Sequence, residues 1–201
     1  NGNDGVRGSN SGHVRIYNYT PSGTASWTQL GLDIDGEAVS DVSGYSVSLS
    51  SDGSRVAIGA YNNDGVSGSA SGHVRIFSYT PSGVSSWTQV GADIDGEAAV
   101  DNSGSSVSLS SDGSRVAIGA HVNDGNGFNS GHVRIYNYTP SGTASWTQLG
   151  ADIDGEAVSD YSGNSVSLSS DGSRVAIGAN GNDGNGTDSG HVRVYSLGGY
   201  Q

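Results

Sequence analysis

The sequence contains no cysteine, no methionine and no lysine. Without cysteine there is no disulfide framework and no thiol chemistry. The absence of methionine leads us to expect a processed chain or a piece of a longer one. Without lysine, all eight basic residues are arginines, set against 20 acidic residues for a net charge of −12. That balance disfavours nucleic acid and anionic membranes and favours cations or basic partners. No stretch approaches the roughly 18 apolar residues of a membrane span, and no signal peptide is visible. Helical periodicity is missing over any useful length.

What is present is glycine, 34 residues of 201, with abundant serine and short bursts of alternating apolar residues. Such bursts between Gly/Ser/Asp clusters read as many short strands joined by turns. The segments repeat. "SGHVR" places its histidine at His13, His73, His132 and His191, in steps of 60, 59 and 59. Trp27, Trp87 and Trp146 of "SWTQ" keep the same step, and "SVSLSSDGSRVAIGA" begins identically at Ser46, Ser106 and Ser165. Residues Gly12–Gly31 recur unchanged as Gly131–Gly150.

Each period supplies four strands. "SVSLS" alternates, "SDGS" forms a tight turn, and "RVAIGA" sets Val56 and Ile58 on one face against the small Ala57 and Gly59 on the other. "GHVRIFSYT" and "SWTQVGADI" follow. The expected class is all-β: a β-propeller-type tandem repeat of four-stranded antiparallel blades, about three repeats plus a partial one. A sandwich or solenoid would meet the same periodicity. The units are a partial repeat over 1–45 (strands three and four), repeats over 46–105 and 106–164, and a partial repeat over 165–201 (strands one to three). Thirteen strands do not close a ring, so the expected partners are further repeats of a longer chain or other copies of this one.

"GYSVSLSSDGSRVAIGA", Gly44 to Ala60, resembles the FG-GAP repeat. The resemblance departs at the FG element, where Ser43-Gly44, Ser103-Gly104 and Ser162-Gly163 stand, and at the Pro of GAP, replaced by Tyr61, His121 and Asn180. It implies a β-propeller of the kind found in integrin α-chain heads and in secreted or surface proteins, hence an extracellular or cell-surface location. The calcium loop of that family lies between its FG and GAP strands, where this chain has only "SSDGS", so the family's site is not carried over.

Acidic residues nonetheless recur at alternating positions in "DIDGEAVSD" and its copies, the spacing of loops that hold Ca²⁺ through oxygens. The candidate ligands are Asp33, Asp35, Glu37 and Asp41; Asp93, Asp95, Glu97 and Asp101; and Asp152, Asp154, Glu156 and Asp160. The other reading is an acidic connection whose carboxylates cap backbone N–H groups. A second candidate loop contains Asn63-Asp64, Asn123-Asp124 and Asn182-Asp183. Asn18, Asn137 and Asn185 head N-glycosylation acceptor patterns. The SGHVR histidines read as strand-edge residues on separate blades, and the Trp and Tyr residues as packing groups or sugar-stacking platforms.

Every candidate residue is a copy, whereas an enzyme usually breaks repeat symmetry at its site. The expectation is therefore a non-catalytic structural or adhesive module, possessing calcium-binding loops in the stiffened case. A carbohydrate-binding propeller with one weak site per blade is the alternative.

Overall fold

The computed structural model describes residues 4, 7–21, 23–24, 26–81, 86–140 and 145–198. The tips of the "PSG" turns after Pro81 and Pro140 lie outside the described residues. The fold is all-β, with antiparallel sheets and no helix among the described residues.

The first partial repeat holds β1 (His13–Val14), β2 (Tyr17–Thr20), β3 (Ser26–Gln29) and β4 (Ile34–Asp35). Next come β5 (Ser46–Leu49), β6 (Arg55–Ala60), β7 (His73–Thr80), β8 (Ser86–Gln89) and β9 (Ile94–Asp95). The following copy comprises β10 (Ser106–Leu109), β11 (Arg115–Ala120), β12 (His132–Thr139), β13 (Ser145–Gln148) and β14 (Ile153–Asp154). The chain ends with β15 (Ser162–Leu168), β16 (Arg174–Ala179) and β17 (His191–Ser196). The two complete sheets run β5-β6-β7-β8 and β10-β11-β12-β13, with β9 on β7 and β14 on β12; the last sheet is β15-β16-β17.

Two details differ from the sequence expectation. The fourth strand of each repeat is not continuous: the chain breaks at Gly91, with φ of +79°, and rejoins the third strand as β9. Strand three of the first repeat is also interrupted, as β1 and β2. In the next repeat β7 runs unbroken because β6 pairs along it from His73 to Ser78; β2 has only β3 beside it.

The hydrophobic cores lie between successive sheets. Ala57, Val74 and Ile76 of one sheet meet Val107, Leu109, Val116 and Ile118 of the next. One junction further on, Ala117, Val133 and Ile135 meet Val175 and Ile177. The strand-two segment is therefore buried on both faces, large residues toward one neighbour and small ones toward the other. Each fully buried Val or Ile contributes about 1.5–3 kcal/mol through removal from water. The approach is too close for a side chain at Gly119, where a Cβ would stand 2.1 Å from the Gly163 carbonyl oxygen.

Polar bonds repeat with the cores. Ser46 Oγ donates to the Gly104 carbonyl and Ser106 Oγ to that of Gly163, both at 2.7 Å. Trp87 Nε1 donates to Leu30 O at 2.8 Å and Trp146 Nε1 to Val90 O at 2.9 Å. These indoles latch one repeat to the preceding one. Tyr79 and Tyr138 pack on them, with ring centroids 5.3 Å apart in each pair.

Candidate functional site

The acidic connection ends each repeat and meets the third strand of the next, which carries His and Arg two residues apart on one face of the sheet. The ladder brings them together, because His132 opposes Asp154 in the β12–β14 pairing. His132 is 1% exposed. Its Nδ1 lies 3.8 Å from Glu97 Oε2, in the preceding connection, and 3.9 Å from Asp152 Oδ2, in its own. Neither ring nitrogen of His132 has a hydrogen-bond partner.

The neighbours fix both carboxylates by their other oxygens. Arg134 Nη1 sits 3.6 Å from Glu97 Oε1, while its Nη2 donates to the Asp95 carbonyl at 2.7 Å. Gln148 Nε2 donates to Asp152 Oδ1 at 2.7 Å. One repeat earlier the arrangement is the same: His73 Nδ1 is 3.8 Å from Glu37 Oε2 and 4.0 Å from Asp93 Oδ2. Arg75 approaches Glu37 Oε1 to 3.4 Å, and Gln89 donates to Asp93 Oδ1 at 2.6 Å. At the last junction, His191 and Arg193 hold Glu156 at 3.7 and 3.5 Å.

Burial and then the adjacent arginines push the pKa values of His73 and His132 below the ordinary imidazole value, which favours the neutral rings. Burial raises Glu97, with Asp152 and Asp101 adding to the rise against the pull of Arg134. Asp95 is likewise raised by burial and by Asp93. The first repeat shows what the preceding connection supplies. With no earlier Glu to meet, Arg15 turns onto Asp33, its Nη2 2.9 Å from Oδ2. That guanidinium bond, with a second from Gln29, lowers Asp33.

The twelve sequence-predicted ligands thus divide by position. Asp41, Asp101 and Asp160 are buried and close their own loops: Asp101 Oδ2 accepts from Ala98 N at 2.9 Å and Asn123 Nδ2 at 3.0 Å. Asp41 and Asp160 cap the equivalent N–H groups. Asp35, Asp95 and Asp154 present their backbone carbonyls to Arg75, Arg134 and Arg193. Among the described residues, the groups of three or more potential metal ligands lying together are Glu37–His73–Asp93 and Glu97–His132–Asp152. The histidine and the pairing of two different connections were not visible in the loop spacing.

The second loop is closed by its own aspartates and tied to the acidic connections, Asn126 Nδ2 donating to Gly155 O at 2.8 Å. Asp64, Asp124 and Asp183 accept from Ala70, Asn129 and Asp188 N at 2.9, 2.7 and 2.8 Å, holding those residues at positive φ. Between it and the acidic connection opens a cleft of about 560 Å³, lined by Glu97, Asp101, Val122, Asp124 and Phe128 among others. Of the glycosylation candidates, Asn18 and Asn185 are exposed; Asn137 is half-buried and accepts from Arg115 Nε at 2.7 Å.

No helix among the described residues is long and apolar enough to cross a membrane. No curated protein matches the chain. A structure from Bacteroides uniformis ATCC 8492, provisionally named a 6-phosphogluconolactonase, is similar with a TM-score of 0.56 and 14% identity. The match covers 90% of this chain and 44% of that one, so the chain spans less than half its length. A periplasmic gluconolactonase from Pseudomonas aeruginosa is similar at 17% identity and a TM-score of 0.49, over 90% of this chain and 45% of that one. The expectation of a non-catalytic structural or adhesive module, with glycan binding as its alternative, is corrected by the first of these likenesses. The fold of this chain is shared with a structure named as an enzyme, and the all-β repeat is no argument against catalysis. At these identities the likeness speaks for the fold alone. The FG-GAP repeat family matches residues 151–195: the chain carries an FG-GAP repeat, and that repeat begins in the acidic connection that supplies Asp152 and Glu156.

Proposed function

We propose that the chain is an open segment of a β-propeller, and that the propeller hydrolyses sugar-acid lactones in the cleft between the 97–101 connection and the 122–129 loop. The observation that carries this reading is the loss of copy symmetry at that cleft. Val122 and Phe128 stand where the preceding copy has Asn62 and Ser69. Phe128 is 65% exposed at the cleft, an apolar face for one side of a sugar ring. Glu97 brings the carboxylate that takes a proton from water as it attacks the ring carbonyl. Collapse of the tetrahedral adduct breaks the ring C–O bond, Glu97 returns its proton to the departing ring oxygen, and the hydroxy acid results.

The charge selects among lactones. The named cleft residues include three acids and no base, in a chain of net charge −12. An anionic phosphate is repelled there, so the substrate class is an uncharged aldonolactone and not the phosphorylated one in the name of the similar structure. The FG-GAP resemblance supports a location outside the cytoplasm.

The test is pH-stat titration of glucono-δ-lactone opening by the 201-residue chain, corrected for spontaneous hydrolysis. We expect a rate above background that falls at least tenfold in Glu97→Gln, and a KM several-fold higher in Phe128→Ser, with the 6-phosphate opened more slowly than the neutral lactone. A rate equal to background for both lactones sinks the reading.

A further inference from the structure

We propose that the junction Glu97–His132–Asp152, with its copy Glu37–His73–Asp93, binds a divalent metal ion of the zinc class through one imidazole nitrogen and two carboxylate oxygens. The inference does not rest on the lactone reading: an ion on Glu97 Oε2 would compete with its use as a base there, so the two are tested separately. It begins with His132, whose ring is sealed from solvent while its Nδ1 faces two carboxylate oxygens without bonding either. Leaving a buried ring nitrogen unsatisfied costs free energy, and a cation between the three groups would satisfy all of them.

The distances suit an ion better than a hydrogen bond. At 3.8 and 3.9 Å the nitrogen is beyond hydrogen-bonding reach of either oxygen. The three donor atoms lie within 4.8 Å of one another. Donors about 2.0–2.2 Å from a tetrahedral zinc stand roughly 3.3–3.6 Å apart, so the two N···O separations need contract by only a few tenths of an ångström, and the exposed Glu97 carboxylate supplies whatever further approach the two oxygens need. Three protein ligands leave a fourth position for water. The imidazole selects zinc-like ions over calcium and magnesium, which take oxygen.

Surrounding groups already hold the ligands in place. Each carboxylate spends one oxygen on a neighbour, Glu97 on Arg134 and Asp152 on Gln148, and keeps the other for the site. Such outer contacts orient metal ligands. The two carboxylates outnumber the single guanidinium of Arg134, so the junction carries an excess of negative charge that a divalent ion would offset. The second junction reproduces each of these contacts. The last junction brings Glu156 and His191 together, with no third ligand among the described residues.

The experiment is calorimetric titration of the metal-free chain with zinc chloride, with ions counted and no lactone present. Two ions per chain are expected. Asp152→Asn and Asp93→Asn, both near-isosteric and both retaining the Gln-facing oxygen, should each remove one ion, and the double variant should bind none. Cobalt(II) gives a second readout, a visible ligand-field absorption that weakens by half in each single variant. His132→Gln serves if either Asp variant folds poorly, as judged by circular dichroism. Absence of zinc binding overturns the proposal; so does an ion count unchanged in the double variant, which would place the ions elsewhere on the acidic surface. Two bound ions with no lactone opening would leave the metal site standing and remove the lactone reading.

Discussion

Asp52 shows how a single residue is tied to its turn. In "SDGS" its Oδ1 accepts from Ser50 Oγ at 2.7 Å and from Ser54 N at 2.9 Å, while Gly53 takes the φ of +69° that the turn needs. These bonds, that from Ser50 first, lower the carboxyl from 3.8 to about 2; Asp171 shows the same shift with Ser169 and Ser173. A depressed folded-state value means that the turn favours the ionised carboxylate. The support is complete above the ordinary value near 3.8 and is lost as pH falls toward about 2. Asp52→Asn and Asp171→Asn should therefore lower the urea midpoint at pH 6, and the gap from the unsubstituted chain should narrow as pH falls through that window. A gap equally large at pH 2 would remove the carboxylate from the account. This role was legible from the sequence, because Asp-Gly between two alternating runs specifies a turn through local chemistry alone.

At the scale of elements, the strands were legible for the same reason: alternation and turn residues act within a few positions. The break at Gly91 was not, because "SWTQVGADI" alternates across it and only the three-dimensional ladder shows β9 returning to β7. The site was less legible still. Its ligands come from three stretches, Glu37, His73 and Asp93, in two repeats, whereas spacing within a loop grouped Glu37 with Asp41. The structure makes Asp41 a cap and gives Glu37 to the next repeat. Sheet stacking, which decides this, also sets a stability test. A Cβ at Gly119 would meet the Gly163 backbone oxygen at 2.1 Å, whereas at Gly178 it would meet only the Ser165 side chain, with Oγ at 2.4 Å. Backbone cannot rotate away as a hydroxyl can. Gly119→Ala should cost about 1–3 kcal/mol in chemical unfolding, and Gly178→Ala clearly less. Equal costs would mean that the last sheet is as tightly covered as the middle one.

At the scale of the whole molecule, the first complete sheet and the last sheet each expose a face whose counterparts are covered at the internal junctions. Val107 and Leu109 are 9% and 7% exposed because the preceding sheet covers them, whereas their first-repeat copies Val47 and Leu49 are 54% and 49% exposed. At the other end Val192 and Val194 of β17 lie open at 67% and 65%, while the corresponding Val74 and Ile76 are buried. The internal junctions show what belongs on both faces, namely a repeat of this same sequence, and a second copy of the chain brings one to each end. Head-to-tail pairing would bury Leu49 against the partner's last sheet, as Leu109 is buried within the chain. Sedimentation velocity should then show a concentration-dependent rise in sedimentation coefficient. Leu49→Glu should abolish it without lowering the Tm of the dilute monomer, since Leu49 is half-exposed in the lone chain. A chain that sediments as a monomer at every concentration would exclude a second copy as the cover of these faces. The two outcomes decide whether a second copy covers the open sheet faces, and Leu49 and Val194 are the residues that carry the decision.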